Sequence, residues 1–115
     1  MTISIIEIYK EKLKDLLNPK TSNDDLKIQD DHSNGSTIIT NLHRVCVDSK
    51  EAALKIIEKG LKIRNIHESF FNKFSSRSHV IVMVEINQKS LDGIKRRSLI
   101  NLVDLACGEK VRINF

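Results

Sequence analysis

The chain is poor in the residues that mark several common functions. It has no tryptophan, one tyrosine and four phenylalanines. That leaves few rings on which the bases of a single-stranded nucleic acid could stack, so no nucleic-acid partner is expected. The two cysteines, Cys46 and Cys107, stand far apart and lack metal-ligand spacing. With no secretory signal, reduced thiols in a cytosolic setting are expected. No apolar run approaches the ~20 residues of a membrane-spanning helix, and Glu7 and Lys10 interrupt the apolar start behind Met1. No membrane association is expected. There is no internal repeat and no low-complexity segment. Nor does G-x-x-x-x-G-K-[ST] occur, so the backbone cradle that such a loop forms around phosphates is missing from these residues.

What remains is an ordinary globular composition, with 40% hydrophobic and 30% charged residues in 115 positions. One domain over 1–115 is expected, with a modest core. The net charge of +4 mildly favours an acidic partner.

Alternation predicts a strand from Ile3 to Tyr9, with Ile3, Ile5 and Glu7 on one face and Ser4, Ile6 and Ile8 on the other. Lys10 to Leu17 reads as a short helix broken by Asn18-Pro19. Leu26–Gln29 and Thr37–Thr40 form a candidate hairpin around Asn34-Gly35, and Arg44–Val47 a further short strand. A helix is predicted from Asp48, capped by that residue with Glu51 three positions on. Its apolar stripe would be Ala53, Ile56, Ile57 and Leu61, and it should fray near Arg64 and Asn65. Running it through Gly60 costs about 1 kcal/mol relative to alanine. His79–Ile86 is apolar on both faces, as in a central covered strand. After a Leu91-Asp92-Gly93 turn, Arg97–Leu105 should return beside it as a second buried, antiparallel strand.

Two segments carry the chemistry. Asn72-Lys73-Phe74-Ser75-Ser76-Arg77-Ser78-His79 is a hydroxyl-rich loop with one arginine, entering a strand. Its hydroxyls can ligate Mg²⁺ or donate to phosphate oxygens, and Arg77 offers a guanidinium fork. A solvated polar loop or a kinase substrate site fits the same residues. Leu102-Val103-Asp104-Leu105-Ala106-Cys107-Gly108-Glu109 is an apolar strand ending in a carboxylate, then a small-residue turn. Asp104 reads either as a charge that must be paired, a carboxylate held near Mg²⁺ among the options, or as the cap of the next turn. Arg77 and Glu109 stand just beyond two loops that would flank one ligand, where they can close as a bidentate pair.

Asn72-x-x-Ser75-Ser76-Arg77-Ser78-His79 resembles switch I of the kinesin motor domain, and Leu102-Val103-Asp104-Leu105-Ala106 with Glu109-Lys110-Val111 resembles its switch II. Ile6-Glu7-Ile8-Tyr9-x-Glu11-Lys12 and Asp15-Leu16-Leu17 are similar to the family's upstream strand and the segment after it. The resemblance implies an α/β fold: part of the kinesin-type P-loop NTPase, with a mixed central sheet, a flanking helix and a small edge hairpin. It implies ATP and Mg²⁺ as ligands, microtubules (tubulin) as partner, and a cytoplasmic, microtubule-associated location. By the same resemblance Asn72 and Ser75 would line the γ-phosphate, and Ser76 would reach the Mg²⁺, which Asp104 would hold through water. Arg77 and Glu109 would form the catalytic latch, and the segment from the Asn34-Gly35 hairpin to Val47 would face tubulin.

The chain departs from the pattern at Cys107-Gly108, where kinesins have glycine then serine, and at Phe70-Phe71. The backbone N–H of Cys107 would then approach the γ-phosphate. The sequence reads as a partial motor head, without the phosphate loop and the long helix after switch II. ATP-dependent motor activity is thus the family role, and turnover by these 115 residues alone is not expected. Two other readings are a non-enzymatic remnant that binds tubulin or another motor chain, and an unrelated basic α+β domain. Apolar faces and strand edges left open by missing neighbours are expected on a partial head.

Overall fold

A computed structural model describes residues 1–33, 35–70 and 78–106, with the backbone alone for 65–70. β1 (Thr2–Tyr9), β2 (Lys12–Asp15), a 3-10 turn (Asn23–Asp25), β3 (Lys27–Asp31), β4 (Ser36–Thr40) and β5 (Val45–Cys46) precede the helix α1 (Lys50–Phe70). β6 (His79–Lys89) and β7 (Lys95–Asp104) follow. The main sheet runs β2-β1-β6-β7, with β5 added to β1, and β3-β4 form a separate hairpin. All of these pairings are antiparallel.

β1 carries the core. Ile3 and Ile5 are fully buried and meet Ala53, Ile56, Ile57 and Ile63 of α1, with Val80, Val82 and Val84 of β6 beside them. The predicted alternation of β1 holds, since Ile3, Ile5 and Glu7 all lie on this helix-covered face. The opposite face (Ser4, Ile6, Ile81, Met83, Leu99) looks toward the β3-β4 hairpin across a cleft of about 580 Å³. The β3-β4, β5 and Leu91-Asp92-Gly93 expectations are met, the last with Gly93 at φ 86 and a Gly93 N–H bond to the Ser90 carbonyl.

Five expectations fail. Lys10–Leu17 is not a helix. Lys10 and Glu11 take φ of 48 and 63, reversing the chain in a two-residue turn so that β2 pairs with the open edge of β1. That pairing satisfies backbone groups of β1 and carries Leu16 into the core, its N–H on the Ile5 carbonyl at 3.0 Å. Asp15 then fixes the exit: its carboxylate accepts from the N–H groups of Leu17, Asn18 and, 28 residues on, His43.

The cap of α1 is Ser49, one residue later than expected; its hydroxyl accepts the Ala52 N–H at 3.1 Å. Leu61 is 36% exposed, while Gly60 and Arg64 turn inward on the stripe begun by Ala53, and α1 runs on to Phe70 instead of fraying at Arg64. β7 is antiparallel to β6 as expected but exposed along its length, because it is the outer strand and α1 packs over β1 and β6. Leu99, Ile100, Leu102, Val103 and Leu105 consequently face solvent, as expected of a sheet lacking neighbours.

At Gly60 α1 lies close against Ile5 of the sheet. A Cβ there would stand 2.6 Å from Ile5 Cδ1, inside the core. Alanine adds about 1 kcal/mol of helix propensity but forces overpacking of typically 1–3 kcal/mol. Gly60→Ala is therefore expected to destabilise by roughly 1 kcal/mol, and in an Ile5→Val background to be neutral or stabilising. Urea titration of the four proteins checks this; the same penalty in both backgrounds would refute the contact.

On the cleft face Arg97 Nε donates to Glu85 Oε1 at 2.9 Å. This hydrogen bond, more than the charges of Arg97 and Arg44, holds the Glu85 carboxyl below its ordinary range against the opposing effect of burial. The stabilisation is fully present above the unfolded-state value of about 4.3 and is lost as pH falls through the depressed folded value. Thermal melts should show wild type losing stability faster than Glu85→Gln in that acid window, with parallel curves ruling out the linkage.

Candidate functional site

The two chemistry-bearing segments leave the sheet at one end. Val80 pairs with Asp104, and on its other side Glu7 pairs with Val80, so Glu7, Val80 and Asp104 form one row across three strands. Lys14 extends that row beyond Glu7. All four lie on the face covered by α1, because directly opposed residues share a face.

Arg64 reaches down from α1 onto this row and is itself only 6% exposed. Its Nη1 donates to Asp104 Oδ2 at 2.9 Å. Its Nη2 donates to the Ser78 carbonyl at 2.9 Å, with the Ser78 hydroxyl at 3.4 Å. Nε stands 3.7 Å from Glu7 Oε2, and the Ser78 hydroxyl donates to that same oxygen at 3.2 Å. Glu7 and Ser78 are buried, whereas the Asp104 side chain is 72% exposed. One cation thus neutralises a buried carboxylate and ties it to an exposed one. Beside Glu7, burial draws the Lys14 ammonium below its ordinary pKa, and the Glu7 charge opposes that shift.

A second tie lies on the other face, where His79 Nδ1 accepts the Ala106 N–H at 2.9 Å. Ser78 of the serine segment and Ala106, just after Asp104, are therefore each fastened at the same end of the sheet. Chemically, the arrangement holds two loop roots side by side and leaves a carboxylate facing outward between them.

Of the residues singled out from the sequence, Asp104 stands at the end of β7, paired with Arg64. Asn72, Ser75, Ser76, Arg77, Cys107 and Glu109 lie outside the described residues. Sequence reasoning missed Arg64 and Glu7 as partners. Their signal was present: a lone carboxylate on the Ile3-Ile5 face, and a lone cation on the stripe of Ala53, Ile57 and Gly60. Two opposite charges in otherwise apolar stripes call for each other.

Removing one member of a buried ion pair typically costs 3–5 kcal/mol, because the other charge stays buried and uncompensated. Arg64→Met is expected to fall in that range, roughly 3–5 kcal/mol, with most of it recovered in Arg64→Met/Glu7→Leu. A double-mutant cycle by chemical denaturation measures the coupling, and additive losses would show that the pair does not interact.

The comparisons with known proteins converge on one family. The kinesin motor domain model matches residues 1–114. Kinesin-related protein 5 of Dictyostelium discoideum is 44% identical over 108 residues, which is 94% of this chain and 11% of that protein. The kinesin heavy chain of Syncephalastrum racemosum is 40% identical over 110 residues, 95% of this chain and again 11% of the relative. A solved fast kinesin, described with its ATPase mechanism and interactions with microtubules, superposes with a TM-score of 0.84 at 31% identity. That match covers 99% of this chain and 32% of the solved one, so the chain spans about a tenth of its curated relatives and a third of that structure. On the sheet order, the two loop roots and these matches together, the chain belongs to the kinesin motor domain family.

Proposed function

We propose that this chain forms the nucleotide-sensing part of an ATP-driven microtubule motor, acting in the cytoplasm on the microtubule cytoskeleton. The observation that carries the reading is the Arg64 guanidinium, bonded at once to Ser78 and to Asp104 at 2.9 Å each. Loops rooted on one shared side chain can respond to one ligand between them. The reading takes Asn72 and Ser75 to the γ-phosphate and gives Arg77 and Glu109 the catalytic latch. Cys107 offers its backbone N–H to the same phosphate.

The donors fit a magnesium nucleotide. Mg²⁺ prefers oxygen ligands and retains waters, and Asp104 offers a carboxylate 72% exposed at the strand end with Arg64 on one oxygen. Asp104, through water, and the Ser76 hydroxyl would hold the ion, which when bound supplies positive charge against the phosphates. Arg64 orients the Asp104 carboxylate for that task.

The 115 residues alone are expected to give background phosphate release, lacking a cradle for the α- and β-phosphates. In a longer chain that carries these residues together with a G-x-x-x-x-G-K-[ST] loop, microtubule-stimulated ATP turnover is expected. Arg77→Ala should lower turnover by ~10³-fold or more, the scale of losing a transition-state arginine, while sparing ATP binding. Cys107→Gly should raise it, since glycine adopts left-handed backbone without a Cβ penalty. Full turnover in Arg77→Ala would overturn the assignment. Co-sedimentation with microtubules that ignores ATP would instead favour a non-enzymatic tubulin-binding role.

A further inference from the structure

Arg64 is shared unequally between its two carboxylates. Its Nη1 donates to Asp104 Oδ2 at 2.9 Å, the length of a hydrogen bond between charged groups. Its Nε stands 3.7 Å from Glu7 Oε2, an ion-pair distance beyond hydrogen-bond reach. Burial runs the other way, with the Glu7 side chain 1% exposed and the Asp104 side chain 72% exposed. The cation thus bonds most closely to the carboxylate that water can also serve. It stands off from the one that water cannot reach.

Other groups help to compensate Glu7 in this arrangement. The Ser78 hydroxyl donates to the same Oε2 at 3.2 Å. Lys14, the register partner of Glu7 on β2, carries an ammonium that feels the Glu7 charge. A shift of about 1 Å would bring Arg64 Nε to the ~2.8 Å of a charge-assisted bond with Glu7. The bond from Nη2 to the Ser78 carbonyl, at 2.9 Å, gives the guanidinium a neutral anchor beside both anions.

We propose that Glu7 is a positioning residue, which receives Arg64 when the Asp104 carboxylate turns to a divalent cation. Glu7 is buried, so it acts through Arg64 and not by contact with a ligand. Arg64 is itself only 6% exposed, and without Glu7 the departure of Asp104 would leave its charge buried and uncompensated. The two carboxylates compete for one guanidinium, and no proton moves. The inner carboxylate thereby sets how readily the outer one is released. The inference rests on the metal reading of Asp104 given above, while the competition for Arg64 is measurable without nucleotide.

The test is NMR on the isotope-labelled full chain, with aqueous Mn²⁺ as an oxygen-preferring stand-in for Mg²⁺. Paramagnetic broadening at Asp104, taken relative to Asp92 in the turn after β6, reports metal at that carboxylate. Glu7→Gln keeps the shape and an oxygen for the Ser78 hydroxyl but removes the rival charge. A purely structural Glu7 would, once lost, loosen Arg64 and free Asp104. The proposal requires the reverse: broadening at Asp104 should fall by ~3-fold or more, within the scale of one charged hydrogen bond. Glu7→Asp, which keeps the charge, should restore most of it. Ser78→Ala leaves Glu7 in place without its hydroxyl donor and should increase the broadening, so the sign can be read even if Glu7→Gln fails to fold. In metal-free protein, hydrogen exchange of the Arg64 guanidinium should slow in Glu7→Gln. Broadening that is unchanged or raised in Glu7→Gln, or faster Arg64 exchange, would overturn the proposal. No broadening at Asp104 in any variant would count against the metal reading, and the Arg64 exchange would then decide whether the two carboxylates compete.

Discussion

A buried guanidinium organises this molecule. Arg64 sits on the helix face that should be apolar, and each of its polar edges meets something that would otherwise be costly to bury or leave loose. Glu7 is a carboxylate at 1% exposure, and Ser78 is fully buried. Neither would be tolerated there without a compensating charge or hydrogen bond. An ion pair of this kind contributes little net stability over a well-packed apolar alternative. What it gives is register. Three strands and a helix can satisfy these groups together only when β1, β6 and β7 are aligned as they are and α1 lies over them at one rotation.

The division between what could be read from the residues and what could not follows the range of the forces involved. β1, the β3-β4 hairpin, β5 and the antiparallel β6-β7 pair are governed by alternation and by turn residues a few positions apart, and all were readable. β2 was not. Its residues favour helix locally, and only the open edge of β1, which a linear reading does not weigh, pulls them into a strand through two positive φ values without glycine. The exposure of β7 was equally hidden, because its composition is that of a buried strand and burial depends on how far α1 reaches. In the site, Asp104 was recognised from its position at a strand end. Arg64 was assigned to a fraying helix end, since a charge on a stripe is ordinarily taken as the stripe's limit.

Membership of the kinesin motor domain family gives these local facts a common purpose. Under the proposed function, the serine segment and the aspartate-ended strand would sense one nucleotide, and the described ends of both, Ser78 and Asp104, meet a single side chain. The outer strand, with Leu99, Ile100, Leu102 and Val103 bare on its two faces, fits a chain that spans about a third of the solved fast kinesin. The opposite end of the same two strands is built differently, with cations set against each other around a closed turn. On the proposed function, the base of this hairpin is the end that would face a phosphate.

Gly60 and Arg64 are separated by one helical turn, and the absence of a side chain at the first sets how deep the second can plunge. A helix advances about 100° per residue. Inserting or deleting a single residue between them would leave the backbone helical yet swing the guanidinium a quarter-turn or more off its targets. The spacing between the smallest residue of the helix and its largest buried cation is thus a ruler, and natural variation in length should spare that interval.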